Sequence, residues 1–167
     1  MAYELRIMAF QPSEGYPDMD IDYKMSRPET ALILPLQDPY NQHPQAIQQI
    51  GTYIRTKGIR RTGPTFGRYD TPESETPRNN LFWEVGIPVE TATDADPPYK
   101  IREMKPQRVA SVIFKDPANM EKYARGVFLI KLIIEDRFPT HPGIEIWHNR
   151  SGKSRTELQI DVIKVYP

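Results

Sequence analysis

The chain repeats itself, and that repeat limits what it can fold into more than any single motif does. Asp22-Tyr23-Lys24-Met25 is echoed by Pro98-Tyr99-Lys100-Ile101. Thr30-Ala31-Leu32-Ile33-Leu34 is echoed by Arg108-Val109-Ala110-Ser111-Val112-Ile113. Each of these apolar runs leads into Asp-Pro, at Asp38-Pro39 and at Asp116-Pro117. Gly143-Ile144-Glu145-Ile146-Trp147-His148 then answers Thr65-Phe66-Gly67-Arg68-Tyr69. Thr156-Glu157-Leu158-Gln159-Ile160-Asp161-Val162 answers Trp83-Glu84-Val85-Gly86-Ile87-Pro88-Val89. Each unit reads strand, strand, helix, strand, strand.

The elements follow from local chemistry. Asp18 to Met25 alternates with period two, as a strand with carboxylates on its outer side does. That spacing also mimics a calcium loop, with Glu29 at the twelfth position. Tyr23 stands where such a loop needs glycine, however, and Pro28 breaks the exit helix. Pro44 opens a helix that runs to about Lys57, with Ile47, Ile50 and Ile54 at helical spacing and Gly58 as its stop. In the second unit Asp116 is a cap and Pro117 a first helical residue, ahead of Met120, Tyr123, Ala124, Val127 and Ile134 on one side. Residues 1–18 read as a loose lead-in, 70–80 as an exposed loop and 91–98 as a linker between half one (about 19–90) and half two (about 99–167). The 17 prolines, about twice ordinary usage, are scattered, which suits short elements with tight connections.

The expected fold class is therefore α+β: a pseudo-twofold duplication of a strand–helix–strand–strand module. Its antiparallel sheet would carry one helix per half on one face and a concave ligand trough on the other. In Ile144 to His148, alternation puts Ile144 and Ile146 on one face, with His148. Glu145 and Trp147 fall together on the opposite face. Assigning the isoleucines to the core sends Glu145 and Trp147 to the trough, joined by their echoes Gly67 and Tyr69. Glutamate on an alternating strand more often faces solvent, but a tryptophan beside it is out of place on open surface. A half-wet hollow for a flat cationic or electrophilic guest suits both. Trp83 and Tyr40 are further candidate walls, although an aromatic on a strand more often belongs to the core.

Composition excludes several classes. No cysteine is present, which removes disulfides, thiolate catalysis and Cys-based zinc sites. Basic and acidic residues balance at 22 each, and a nucleic-acid face usually leaves a basic excess. His43, His141 and His148 lack ligand spacing with one another, so no metal and no cofactor is expected. Ser151 and Ser154 sit in a basic turn without a nucleophile-elbow pattern. No stretch reaches the ~20 apolar residues of a membrane span. The start shows no leader, so the expected location is cytoplasmic, although a start placed after a removed signal would read the same.

The motifs Gly63-Pro64-Thr65-Phe66-Gly67-Arg68-Tyr69-Asp70, Trp83 to Val89, Pro142 to Trp147 and Thr156 to Val162, in that order, resemble the GyrI-like (gyrase-inhibitor-like) family over roughly residues 20–165. The resemblance implies a pair of strand–helix–strand–strand modules. It also implies kinship with the effector-binding domains of bacterial multidrug-sensing transcription activators, which bind lipophilic cations at a buried glutamate. Glu145 matches that glutamate's position, and Trp147 stands where an aromatic is usual. Some stand-alone members are hydrolases of strained cyclopropane-containing toxins, in which case Glu145 would be the general base. A gyrase-inhibiting relative implies a third role, as a protein-interaction module. The sequence departs from the family where the chain enters each helix: Asp38-Pro39-Tyr40 and Asp116-Pro117-Ala118 replace the usual Gly-x-Tyr, which changes the pocket floor. Residues 1–18 are too short for a helix-turn-helix. The expected partner is a small hydrophobic or cationic molecule, with no direct contact to nucleic acid and none to a membrane; no protein partner is indicated.

Overall fold

Ala46, Ile50 and Ile54 recur every four residues along one side of the first helix, and all three are buried. A computed structural model describes that helix and its surroundings over residues 21–37, 43–69, 82–114, 137–139, 143–150 and 153–164. The helix, α1, spans His43–Lys57. Arg55 and Lys57 in its last turn complement the negative end of the helix dipole. Gly58 ends it at φ 64°. Its N–H donates to the Arg55 carbonyl, and the Ile59 N–H reaches back to the Ile54 carbonyl, so the last turn closes in a Schellman motif. Ile59 then packs against the same apolar cluster as Ile54.

The strands are β1 (Asp22–Met25), β2 (Glu29–Leu36), β3 (Phe66–Tyr69), β4 (Trp83–Pro88), β5 (Lys100–Met104), β6 (Arg108–Phe114), β7 (Arg137–Pro139), β8 (Ile144–Arg150) and β9 (Lys153–Lys164). Eight of them pair in the order β1-β6-β9-β8-β3-β4-β2-β5, and β7 pairs with β9. Every pairing is antiparallel. The repeat anticipated each strand of the ordered eight, whereas β7 had no counterpart in it. The helix expected in the second half, over residues 117–134, lies outside the described residues, as do the lead-in and the loop 70–80.

Neither first strand stays with its sequence neighbours: β1 adds to β6, and β5 adds to β2. The two parts of the chain therefore hold each other at both edges of the sheet as well as at its centre, where β3 meets β8.

The core under α1 is built from alternate residues. Leu32 and Leu34 of β2 and Trp83, Val85, Ile87 and Val89 in and after β4 meet Ala46, Ile50 and Ile54. Ala31, Ile33 and Phe66 form a smaller cluster on the other face. There the Phe66 ring lies over Gly86, so closely that a methyl group at Gly86 would sit 2.3 Å from it. The segment read as a linker is tied down: Tyr53 of α1 stacks on Tyr99 at 3.8 Å between centroids, and its hydroxyl accepts the Asp96 N–H at 2.9 Å. Lys57 pairs with the Asp96 carboxylate at 2.8 Å.

The left-handed turn at Gly58 gives a clean test, because a side chain there would touch nothing within 4 Å. Gly58→Ala is expected to lower unfolding stability by about 1–2 kcal/mol through backbone conformation alone. Urea denaturation of both forms measures it, and Gly58→Asn should cost less.

Candidate functional site

One row of side chains runs across six of the eight ordered strands on the face that carries α1. Register places Leu34 beside Val85, Val85 beside Gly67, Gly67 beside Glu145, Glu145 beside Leu158, and Leu158 beside Val112. All six are buried. A carboxylate, Glu145, thus occupies the middle of an otherwise aliphatic row at 5% exposure. Burial of a charge is costly unless it is compensated. No buried side-chain nitrogen or oxygen among the described residues lacks a hydrogen-bond partner, so Glu145 is no orphan.

This placement corrects the facing expected for β8. Glu145 and Trp147 do share a face, but it is the face that carries the helix. Trp147 packs against the Leu32–Ile50–Val85 cluster, and its N–H donates to the Thr65 carbonyl at 2.9 Å. Ile144 and Ile146 point the other way and pack with Ala31, Ile33 and Phe66. The reason is cross-strand pairing: Glu145 is level with Gly67, and Gly67 with Val85, whose side is fixed by α1. Gly67 leaves that side of Glu145 without a side chain. Trp83 is 2% exposed and belongs to the core, as a strand aromatic usually does. Tyr69 pairs with Trp83 in the backbone register; its side chain, like all of Tyr40, lies outside the described residues.

A hollow of about 800 Å³ lies on the face away from α1. Its floor includes Phe66, Ile144 and Ile146 rather than Glu145 and Trp147. Two carboxylates underlie its walls. Glu157 accepts from Ser111 Oγ at 2.7 Å and Gln159 Nε2 at 2.6 Å, and it meets His148 Nε2 at 3.1 Å and Lys24 Nζ at 3.2 Å. Burial by itself would raise its pKa. The donors from Gln159, Ser111, His148 and Lys24 outweigh burial and hold it at about 2. Glu84, equally buried, receives Arg102 directly, with the Arg68 guanidinium at 3.8 Å.

Sequence reasoning did not single out Glu84, Glu157, Lys24, Arg68 or Arg102 as site residues. Clean alternation in Trp83-Glu84-Val85 and Thr156-Glu157-Leu158 was the signal that could have found both carboxylates. Both lie across the sheet from Glu145, so neither can act beside it as the second acid of a two-carboxylate mechanism. The described residues contain no group of three or more His, Asp or Glu placed to hold a metal ion. They contain no helix long and apolar enough to cross a membrane.

Comparison with known proteins adds the fold's name. No family model matches the sequence, and no curated protein matches it either. Among solved structures, the EcmrR C-terminal domain superposes with a TM-score of 0.77 at 17% identity, covering 89% of this chain and 100% of that one. The chain has the GyrI-like fold. EcmrR in a DNA complex matches with a TM-score of 0.77 at 16% identity; the match covers 98% of this chain and 63% of the longer EcmrR chain. SAV2435 bound to tetraphenylphosphonium matches with a TM-score of 0.55 at 11% identity over 87% of this chain and 94% of that one. A protein described as a hydrolase from Listeria innocua matches with a TM-score of 0.61 at 10% identity, covering 89% and 94% of the two chains. At such identities the likeness is one of fold.

The Glu157 cluster predicts an acid-sensitive increment of stability. A carboxyl depressed from 4.5 to about 2 stabilises the fold fully above about pH 4.5, and the increment is lost as pH falls through 2. Trough water screens the pair, so about 1–2 kcal/mol is expected. Urea unfolding of wild type and Glu157→Gln should differ by that amount near pH 5, and the difference should shrink toward zero as pH 2 is approached.

Proposed function

We propose that this GyrI-like domain binds small hydrophobic cations, with Glu145 as their counter-charge on the helix-bearing face of the sheet. The observation that carries the reading is the position of Glu145: a buried carboxylate at the centre of an apolar row, level with a glycine. A delocalised cation loses little on leaving water, so it can reach a carboxylate that a small hydrated ion would not. The missing side chain at Gly67 supplies room next to the charge. Trp147, two residues along β8 on the same face, would add an aromatic surface, worth about 0.5–2 kcal/mol to a cation. SAV2435, of the same fold, was solved with such a cation bound.

The pseudo-twofold duplication belongs to this reading, and the register supports it. The exchange that carries Phe66 onto Ile144 and Arg68 onto Ile146 turns the pair Phe66–Ile146 into Ile144–Arg68, which is also a pair. It returns Gly67–Glu145 to itself. Likewise the bridge Lys24–Glu157 answers Arg102–Glu84, which puts the counterpart of Lys24 at Arg102, two residues beyond the echo read from sequence. A local axis through Gly67 and Glu145 would give the domain one central carboxylate instead of two. Like charges facing each other there would repel, whereas one glutamate beside a glycine leaves a single site.

Tetraphenylphosphonium, titrated against the fluorescence of Trp83 and Trp147, should quench more strongly than neutral triphenylphosphine oxide. Glu145→Gln should weaken the cation by about 1–3 kcal/mol and leave the neutral analogue unchanged. Equal affinities for the two guests, or an unaffected variant, would remove Glu145 from the role of counter-charge. If the same mixture instead ring-opens a cyclopropane-fused electrophile, and does so only with Glu145 present, hydrolysis replaces passive binding.

A further inference from the structure

The ordered sheet ends on β1 at one side and β5 at the other, and the two edges differ in kind. All four residues of β1 are exposed. Tyr23 at 38% and Met25 at 55% are two of the four exposed large apolar side chains among the described residues. Tyr23 also has a contact within its own chain, and that exposure is what remains beside it. The register fixes the backbone of β1. The Ser26 N–H donates to the Gln107 carbonyl at 2.8 Å, so in steps of two Lys24 and Asp22 bond inward to Val109 and Ser111. Ile21, Tyr23 and Met25 therefore turn their N–H and C=O groups outward. Side chains alternate too: Lys24, on Glu157, shares the trough face with Asp22, and Ile21, Tyr23 and Met25 share the other. Strand β5 is guarded by comparison. The Val89 N–H donates to the Thr30 carbonyl, which turns Thr30 toward β4 and leaves Ile101 and Glu103 facing outward on β5. A copy of β5 pairing antiparallel about Ile101 would set Lys100 opposite Arg102. About Arg102 or Glu103, the same charged residue would meet itself. Every choice opposes like charges, and Pro98 and Pro106 flank the strand.

We infer that the β1 edge is an interface for a second copy of this chain, the two strands pairing antiparallel about a twofold axis at Tyr23. The run Ile21-Asp22-Tyr23-Lys24-Met25 is apolar, acidic, aromatic, basic, apolar, so its reverse differs only in the sign of charge. A twofold contact needs that self-complementarity. Tyr23 meets Tyr23 of the second copy, Asp22 meets Lys24 at both ends, and Ile21 meets Met25. The hydrogen-bonding positions of such a pairing are Ile21, Tyr23 and Met25, whose backbone groups point outward already. A slip of two residues either way opposes Asp22 to Asp22 or Lys24 to Lys24, and a slip of one crosses the faces. The Lys24 ammonium carries three donors, so it can keep Glu157 and reach Asp22 of the second copy as well. Five residues a side make a small contact, so the dimer forms reversibly and depends on concentration.

Sedimentation equilibrium of the full chain, from low micromolar to several hundred micromolar, should show monomer and dimer in exchange. Asp22→Lys sets a second cation opposite Lys24 at both ends of the pairing. It should raise the dissociation constant by about tenfold or more. Asp22 is exposed, so the circular dichroism spectrum should not change. A second measurement locates the contact. The chain has no cysteine, so a single one reports only its own surroundings. Across a hydrogen-bonded antiparallel pair the Cα atoms are about 5.5 Å apart, within disulfide reach. Tyr23→Cys should therefore oxidise to a covalent dimer much faster than Ile101→Cys on the opposite edge. A monomer throughout the series, an Asp22→Lys chain that dimerises as wild type does, or equal crosslinking at both edges would overturn the inference. Glu145 takes no part in these readouts, so cation binding can succeed or fail independently.

Discussion

Everything about this domain depends on the antiparallel contact between Phe66–Tyr69 and Ile144–Arg150. It is the only described pairing at the centre of the sheet that joins the two parts of the chain, and it sets the facing of every residue in β8. Because β-strand side chains alternate strictly, a slip of one residue there would turn Glu145 into the trough and bury Ile144 and Ile146 under the helix side. The register is held by volume. Phe66 must lie over Gly86 on one face, and Val85 must lie under α1 on the other. Gly67, between them, is level with Glu145.

That constraint sorts the charges. On the helix-bearing side one carboxylate lies buried in an aliphatic row. On the trough side the carboxylates of Glu84 and Glu157 come with their own cations and hydroxyls, drawn from strands far apart in sequence. The two environments ask different things of a glutamate. Glu157 is held ionised by four partners and works as a structural anchor between β1, β6, β8 and β9. Glu145 has its place in the middle of the sheet, where the local symmetry proposed here leaves room for one acid.

The exchange of edge strands adds cohesion. With β1 on β6 and β5 on β2, separating the two parts would break three sets of backbone pairings together instead of one. The tether of Tyr53, Lys57 and Asp96 fixes the connecting segment against the end of α1.

Local rules were enough to read much of this from the sequence. Period-two alternation gave the strands, and the helix over His43–Lys57 followed from Ile47, Ile50, Ile54 and the stop at Gly58. Alternation also grouped Glu145 with Trp147, and Ile144 and Ile146 with His148. Those statements need only the geometry of a single strand or helix. Which group faces the helix could not be read from β8 alone, since its two isoleucines look like core and its glutamate like surface. Only the register with β3 and β4, held by the packing of Val85 under Ile50 and of Phe66 over Gly86, decided it. The partners of Glu157 were hidden for a similar reason: Lys24, Ser111 and His148 come together only when β1, β6, β8 and β9 pair. Sequence determined the elements and the sides of each strand, because those are set by neighbours along the chain. Tertiary structure decided which side was buried under what, because that is set by neighbours across it.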